Sequence, residues 1–357
     1  MKNLKDLLTV PGNGVFTVHT GQEKKDKLLK AYYGTTDIKK TESLWKKSLE
    51  KLSSKKTMIF GIPSDNGGGI QRGANWGPLV VRQEILSLKK QFVDLGDVRV
   101  IPHLLHDKYL NTKTINECRK ALYGKVNKLP VSPLSVAEAA LKEIYKKFPD
   151  ARIFGIGGDH STSYPLVNAW LKSRKKLKEA ALLHFDAHTD LSIKRMGIDL
   201  CFGTWTYQIL EKLFSSDHII QVGIRSSGKD KAHWKKVMGV EQIWADEFLK
   251  KGVAKIYPQI KNHFEKLGVK EIYISFDIDA LDEKYAAATG TPEQKGLLPS
   301  DCAALIKLLA KDFKVTGCDL MEVAPYVWPE GVEARDQRAS VAVAGSIAKV
   351  LLNAMEA

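Results

Sequence analysis

Six residues of this chain have types and spacing that can do chemistry together: His160, Asp186, His188, Asp190, Asp277 and Asp279. They arrive in three short runs, GIGGDHS at 155–161, LLHFDAHTDL at 182–191 and YISFDIDALD at 273–282. Each run is an apolar, strand-like stretch that ends in carboxylates or imidazoles. A buried carboxylate without a partner costs several kcal/mol or more, roughly enough to unfold a small domain. A cation at the strand ends removes that cost. Four carboxylates and two imidazoles are too many ligands for one zinc, and enough for two divalent ions that share bridging carboxylates.

The elements that must position these groups alternate. Strand-like runs stand at 57–62, 98–103, 151–156, 181–185, 218–224, 241–244, 271–276 and 314–321. Amphipathic helical stretches lie between most of them, such as 134–148 and 297–313. Strands alternating with helices imply a parallel sheet covered on both faces, hence an α/β fold of three layers, α/β/α, with a central parallel sheet of about eight strands. In open parallel sheets ligands bind beyond the carboxyl ends of the strands, and each chemical run fits that rule by placing its polar groups last. Asp277 and Asp279 are two apart, so they share a face if strand geometry persists. Gly157 and Gly158 allow a tight turn before His160.

Composition sets the outer limits. The chain has 357 residues, 44% of them hydrophobic, enough for one large domain with a substantial core. We read residues 1–56, rich in lysine with a weak helical period, as an N-terminal extension, and residues 57–357 as the catalytic domain. No apolar run approaches the ~18 residues that span a membrane. The first ten residues have neither an apolar signal core nor a small-residue cleavage site, and we expect a cytoplasmic protein. Cys118, Cys201, Cys302 and Cys318 have no CxxC spacing and read as reduced packing residues. The net charge of +14 comes from lysines scattered over helix faces, without a nucleic-acid-binding motif. Neither a nucleic acid nor a membrane is expected as partner.

The three motifs, in their order, resemble the ureohydrolases: arginase, agmatinase, formimidoylglutamase and their relatives. GIPSDNGGGIQRGANWGP at 61–78, TGTP at 289–292 and LMEVAP at 320–325 extend the resemblance through most of residues 57–357. The resemblance implies two divalent ions, manganese before nickel or cobalt, and a homotrimer or homohexamer. It places His160 and Asp190 on one ion, His188 and Asp279 on the other, and Asp186 and Asp277 between both. A water shared by two cations loses its proton far more easily and is aimed at one place, which suits attack on an amidine or guanidine carbon. Asp190 would carry that proton to the leaving amine. Glu322, in MEVAP, would pair with the planar cationic end of the substrate.

Other residues carry weaker readings. His184 reads as a satisfied core histidine, Asp159 and Asp282 as loop-fixing carboxylates, and Arg225 as a structural ion pair before a ligand for an acidic group. Trp76, Trp205, Tyr326 and Trp328 could wall a pocket or simply pack. The departures from the family pattern bear on the substrate. Arginases and agmatinases usually place a histidine before the glycine of an HG pair; here Phe202 precedes Gly203. Arginases carry an asparagine soon after DAHTD for the substrate carboxylate; here Leu191 and Ser192 follow. These losses argue against arginine. FGTWTYQIL at 202–210 is similar to formimidoylglutamases, whereas ATGTPEQKGL at 288–297 is closer to agmatinases. The expected activity is hydrolysis of a linear amidine: an agmatine-type amine or a guanidino acid with release of urea, or alternatively formimidoylglutamate with release of formamide, or guanidine itself. A related single-zinc deacetylase would not need the Asp277–Asp279 pair. A catalytically idle metabolite-binding relative would show degenerate ligands, and all six are intact.

Overall fold

The computed structural model describes residues 3–15, 21–67, 71–325 and 335–357. Nine strands form one sheet: β1 (Leu8–Thr9), β2 (Thr57–Ile62), β3 (Phe92–Val98), β4 (Ile153–Gly157), β5 (Ala180–Phe185), β6 (Ile219–Ile224), β7 (Glu241–Trp244), β8 (Glu271–Asp277) and β9 (Lys314–Met321). Their order across the sheet is β1-β3-β2-β4-β9-β8-β5-β6-β7. The eight strands β2 to β9 are parallel, and β1 alone pairs antiparallel, with β3.

The strands from β2 onward are buried on both faces, so successive side chains feed two cores. Met58, Phe60 and Ile62 face one core with Leu141, Leu166 and Trp170 from helices Pro133–Lys147 and Ser163–Ser173. Ile59 faces the other, with Phe154, Leu183, Phe276 and Leu320, under helices Val253–Leu267, Pro299–Asp312 and Arg335–Glu356. Both Pro133 and Pro299 open their helices at the first position, where the missing N–H costs no hydrogen bond. The stretch Arg338–Glu356 is long and apolar enough to cross a bilayer by composition, yet half of it is buried, with Ile347, Leu351 and Met355 in the core. The result is the expected three-layer α/β/α arrangement.

One strand expectation needs correction. The third strand is Phe92–Val98 and not 98–103. Beyond Val98, Arg99 turns its N–H to Leu7 O, and Pro102 has no N–H to continue a ladder. The ninth strand comes from the N-terminal extension: Leu8 pairs with Val98 and Thr9 with Asp97. Helices Gln22–Tyr33 and Ile38–Glu50 follow, and Trp45 donates its indole N–H to Leu95 O at 3.0 Å. Leu4, Leu7, Leu8, Trp45 and Leu49 share the core of Met58 and Phe60.

The topology creates the site. From β4 the earlier strands lie toward one edge, and β5, β6 and β7 step toward the other. The chain then returns and inserts β8 and β9 between β4 and β5. The crevice over such a switch point is where an open α/β sheet binds ligands. The three ligand runs end β4, β5 and β8, and Glu322 follows β9, so four adjacent central strands deliver every candidate group.

Candidate metal centre

The six residues converge at that edge. His160 Nδ1 lies 3.0 Å from Asp277 Oδ2, 3.1 Å from Asp186 Oδ2 and 3.4 Å from Asp190 Oδ2. His188 Nδ1 lies 3.0 Å from Asp279 Oδ2 and 3.5 Å from Asp186 Oδ1. Asp186 therefore presents one oxygen to each imidazole. Two groups of potential ligands result, one containing His160, Asp186 and Asp190 and the other Asp186, His188 and Asp279. Asp277 joins the first through His160, and its Oδ1 accepts from Asp279 N at 2.8 Å.

Local sequence explains how the strand ends hold this geometry. Asp277 and Asp279 are joined by a single turn of 3-10 helix, Ile278–Ala280, which bends the chain across the crevice. Asp190 and Glu322 both have left-handed backbones, with φ of 50° and 61°. Such φ values are uncommon for residues with a Cβ and tend to cluster where function demands them. Gly158 is obligatory in space: a Cβ there would stand 1.8 Å from Ser64 O.

A ring of buried partners fixes the ligand orientations. His160 Nε2 meets Ser275 Oγ at 3.2 Å, and Ser275 donates to Asp319 Oδ1 at 2.7 Å. Trp205 Nε1 donates to Asp190 Oδ2 at 2.8 Å, and its ring packs 4.7 Å from that of His160. Thr291 Oγ1 donates to Asp279 Oδ2 at 3.0 Å. His184 is fully buried; Gln221 Nε2 donates to its Nδ1 at 3.0 Å, so its Nε2 is the protonated nitrogen and donates to Asp186 Oδ2 at 2.9 Å. His184 is thus the satisfied core histidine the sequence suggests, with the added task of orienting Asp186.

The electrostatics show that the chain alone does not balance this site. Burial, then the charge of Asp186, pushes Asp190 up to about 8. Burial, then Asp279 and Asp186, pushes Asp277 well above the usual carboxylate range. Asp186 is held well below it: burial opposes ionisation, but the close imidazoles of His160, His184 and His188 prevail. His160 Nδ1 is buried without a hydrogen-bond partner although three carboxylates surround it. An imidazole nitrogen aimed at crowded carboxylates, with its other nitrogen fixed by a hydroxyl, is the donor set that a hard or borderline divalent cation accepts.

A cavity of about 240 Å³ opens onto these groups. His160, His188, Asp190, Asp277, Asp279 and Glu322 line it, with Asp65, Gln71, Thr291, Phe202 and Arg195 among the others. Glu322 Oε1 accepts from His160 N at 2.7 Å, and burial, then Asp277, raises its pKa well above the ordinary value. Phe202 is at the cavity wall, as its position after DAHTD suggests.

One residue differs from its sequence reading. Arg225 makes neither an ion pair nor an open anion site among the described residues. It donates to six backbone carbonyls, those of Gly223, Asp279, Ala280, Leu281, Glu293 and Gln294, and so ties the Asp279 loop to the 293–294 loop. Trp205 lies beneath the site and does not wall the cavity. Tyr326 and Trp328 lie outside the described residues. Asp159 and Asp282 fix loops as expected, accepting from Asn66 N and Ser161 N, and from Lys284 N and Gly296 N. Sequence reasoning missed Ser275, Asp319, Gln221 and Thr291. Ser275 stands two residues before Asp277 on the same face of β8, and Asp319 is a lone carboxylate in an apolar strand; either signal could have found them.

Comparison with known proteins agrees with this geometry. Residues 55–352 match the model of the arginase family. A mitochondrial guanidino acid hydrolase of Homo sapiens is 32% identical over 285 residues, which span 75% of this chain and 71% of that protein. A mitochondrial agmatinase of Gallus gallus is 31% identical over 270 residues, 75% of this chain and 73% of its own. Among solved structures, proclavaminate amidino hydrolase from Streptomyces clavuligerus superposes with a TM-score of 0.64 at 26% identity, covering 84% of this chain and 91% of that one.

Proposed function

Because the chain belongs to the arginase family, we propose that it hydrolyses a small guanidino compound at the C–N bond of the guanidino group and releases urea. The observation that carries this reading is the shared Asp186, which presents its two oxygens to two imidazole-centred ligand groups 3.1 and 3.5 Å away. His160 and Asp190 would hold one divalent ion, His188 and Asp279 a second, and Asp186 and Asp277 both; the donors suit manganese, with nickel or cobalt as alternatives. Paired cations there would supply a water that ionises near neutral pH and is fixed in position.

The residues of the chain do the rest. Glu322, at the cavity wall, pairs with the planar cation of the substrate and turns its carbon toward Asp190. Asp190 takes the proton of the attacking water and delivers it to the departing amine, which leaves as a neutral product. Trp205 holds Asp190 in place through its 2.8 Å bond during that transfer. Phe202 offers an apolar surface where a histidine would meet an amino-acid head group, so L-arginine fits poorly. Formimidoylglutamate, with release of formamide, is the second reading, favoured by FGTWTYQIL at 202–210. The family resemblance also supports a homotrimer or homohexamer.

The test is a panel of guanidino and formimino compounds given to manganese-loaded protein, scored for urea and formamide. Urea release is expected, with kcat/KM for L-arginine at least about 100-fold below the best compound, since an unpaired α-ammonium beside Phe202 costs roughly 3 kcal/mol. Arginine as the best substrate would refute the reading of Phe202. Formamide without urea would select the second reading.

A further inference from the structure

The loop that replaces the family's usual histidine does more than remove it. Arg195 and Ile198 exchange both backbone hydrogen bonds at 2.8 Å around Met196 and Gly197, which have φ of 51° and 85°. Positive φ at both central residues is the signature of a tight hairpin turn that matches strand twist. The base of the same loop is closed by Ser192 N to Gly203 O at 3.2 Å. Its middle is docked by Leu200 N to the Tyr109 hydroxyl at 2.9 Å and by Lys108 to Asp199 at 2.9 Å. The hairpin therefore presents Arg195 from a fixed frame.

The Arg195 guanidinium carbon lies 4.9 Å from the centre of the Phe202 ring. A Cβ on Gly203 would stand 2.7 Å from Arg195 Cδ and 2.8 Å from Nη1. Phe202 thus supplies the face on which the guanidinium rests, and Gly203 the space through which it passes. Arg195 is the one arginine or lysine among the described residues lining the cavity. Among those residues no carboxylate pairs with it: Asp65 accepts from Gly67, Gly73 and Ala74 N–H groups, Glu322 Oε1 from His160 N, and Asp279 from Thr291 and Ala187. An arginine stacked on an aromatic ring keeps its donor fork free, and that fork matches a carboxylate in two parallel hydrogen bonds.

We propose that Arg195 reads the far end of the substrate, and that the substrate is therefore a short guanidino acid. The inference rests on the ureohydrolase reading above. The cavity lining carries the carboxylates of Asp190, Asp277, Asp279 and Glu322 together with the guanidinium of Arg195. A zwitterion with a guanidinium at one end and a carboxylate at the other satisfies both. Agmatine carries a second cation in place of the carboxylate and would bring it toward Arg195, where like charges repel. The cavity, of about 240 Å³, accommodates a molecule of that size.

The experiment compares kcat/KM for urea release from guanidinopropionate, guanidinobutyrate, agmatine and N-propylguanidine in manganese-loaded wild-type protein, Arg195→Ala, Arg195→Lys and Arg195→Glu. Wild type should prefer a guanidino acid over N-propylguanidine. In Arg195→Ala that preference should fall by about 10- to 100-fold, the range for a charge-assisted bond, chiefly through KM. Arg195→Lys should restore part of it, and Arg195→Glu should move the preference toward agmatine. A second readout does not depend on turnover: a guanidino acid should protect Arg195 from phenylglyoxal, and N-propylguanidine should not. Equal losses on all substrates in Arg195→Ala, or agmatine as the best wild-type substrate, would overturn the inference and leave the ureohydrolase reading intact. No urea from any guanidine, with two ions bound, would defeat both.

Discussion

Two clusters of buried charge stand on this sheet, and they solve the same problem in opposite ways. At the N-terminal edge Arg82 is fully buried between Asp94 and Asp97. It grips Asp94 through Nε at 2.8 Å and Nη2 at 3.0 Å, and the other Asp97 oxygen accepts from Gly12 N at 2.8 Å and Gly14 N at 3.3 Å. This cluster contains its own cation and uses its last acceptor to clamp the N-terminal extension onto the sheet. At the centre, Asp186, Asp190, Asp277 and Asp279 have imidazoles as their only ion-pair partners among the described residues, and His160 Nδ1 has no hydrogen-bond partner. A buried charge must be paired wherever it lies. The edge cluster is complete within the chain, and the central one is completed from outside it.

The largest expected effect separates them. Asp277→Asn should lower urea release by at least about 1,000-fold, as loss of a residue acting with the metal unit should, and metal analysis should show at least one ion missing. The same change should leave metal-free stability unchanged or raised, because it removes one of the repelling carboxylates. A sharp drop in the metal-free melting temperature would mean that Asp277 is structural. Glu322→Gln in the same assay should keep both ions while turnover falls.

Next comes the edge. Asp97→Ala leaves Arg82 half-paired in the core and frees the Gly12 and Gly14 N–H groups. Denaturant titration should show a loss of about 3–5 kcal/mol, the usual cost of breaking one side of a buried pair. Metal content of the protein that remains folded should be unchanged. If ions are lost in proportion to stability, the two clusters are coupled and not independent.

The smallest effect is in pH. Burial and Asp186 raise Asp190 to about 8 in the metal-free protein, above its value in the unfolded chain. Between about pH 4 and pH 8 the folded state then holds a proton that the unfolded chain has released, so metal-free stability falls as pH rises through that window. A cation must displace that proton. Metal affinity should therefore rise with pH through that window, by up to about tenfold per unit. Calorimetry in two buffers of different ionisation enthalpy measures the proton released; none released at pH 7 would show that the site is preionised.

Much of this was legible before any coordinates. Apolar runs ending in DH, DAHTD and DID announce strands that carry polar groups at their carboxyl ends, because period and polarity are local properties of the chain. The alternation of strands with amphipathic helices announced the layers for the same reason. The N-terminal strand was not legible: Leu8–Thr9 is two residues long and exists because Val98 and Asp97 offer a partner. Arg225 was misread because five of its six carbonyl partners come from two distant segments, 279–281 and 293–294, which no spacing reveals.

What the sequence determined by itself is the identity of the chemistry. Residue types at fixed short spacings set which donors each strand end can offer, and DAHTD can place two aspartates and a histidine near one point with no help from the rest of the chain. What only the tertiary structure decided is how those donors are divided and aimed. The insertion of β8 and β9 between β4 and β5 brings residues more than a hundred positions apart to within 3.0 Å, as with His160 and Asp277. It also lets Ser275, Asp319 and Trp205 fix the ligands from beneath. The direction of Arg195 likewise depends on a hairpin docked by Tyr109 and on the space left by Gly203. Donor identity is written residue by residue, whereas the distance between donors is a property of the sheet that carries them.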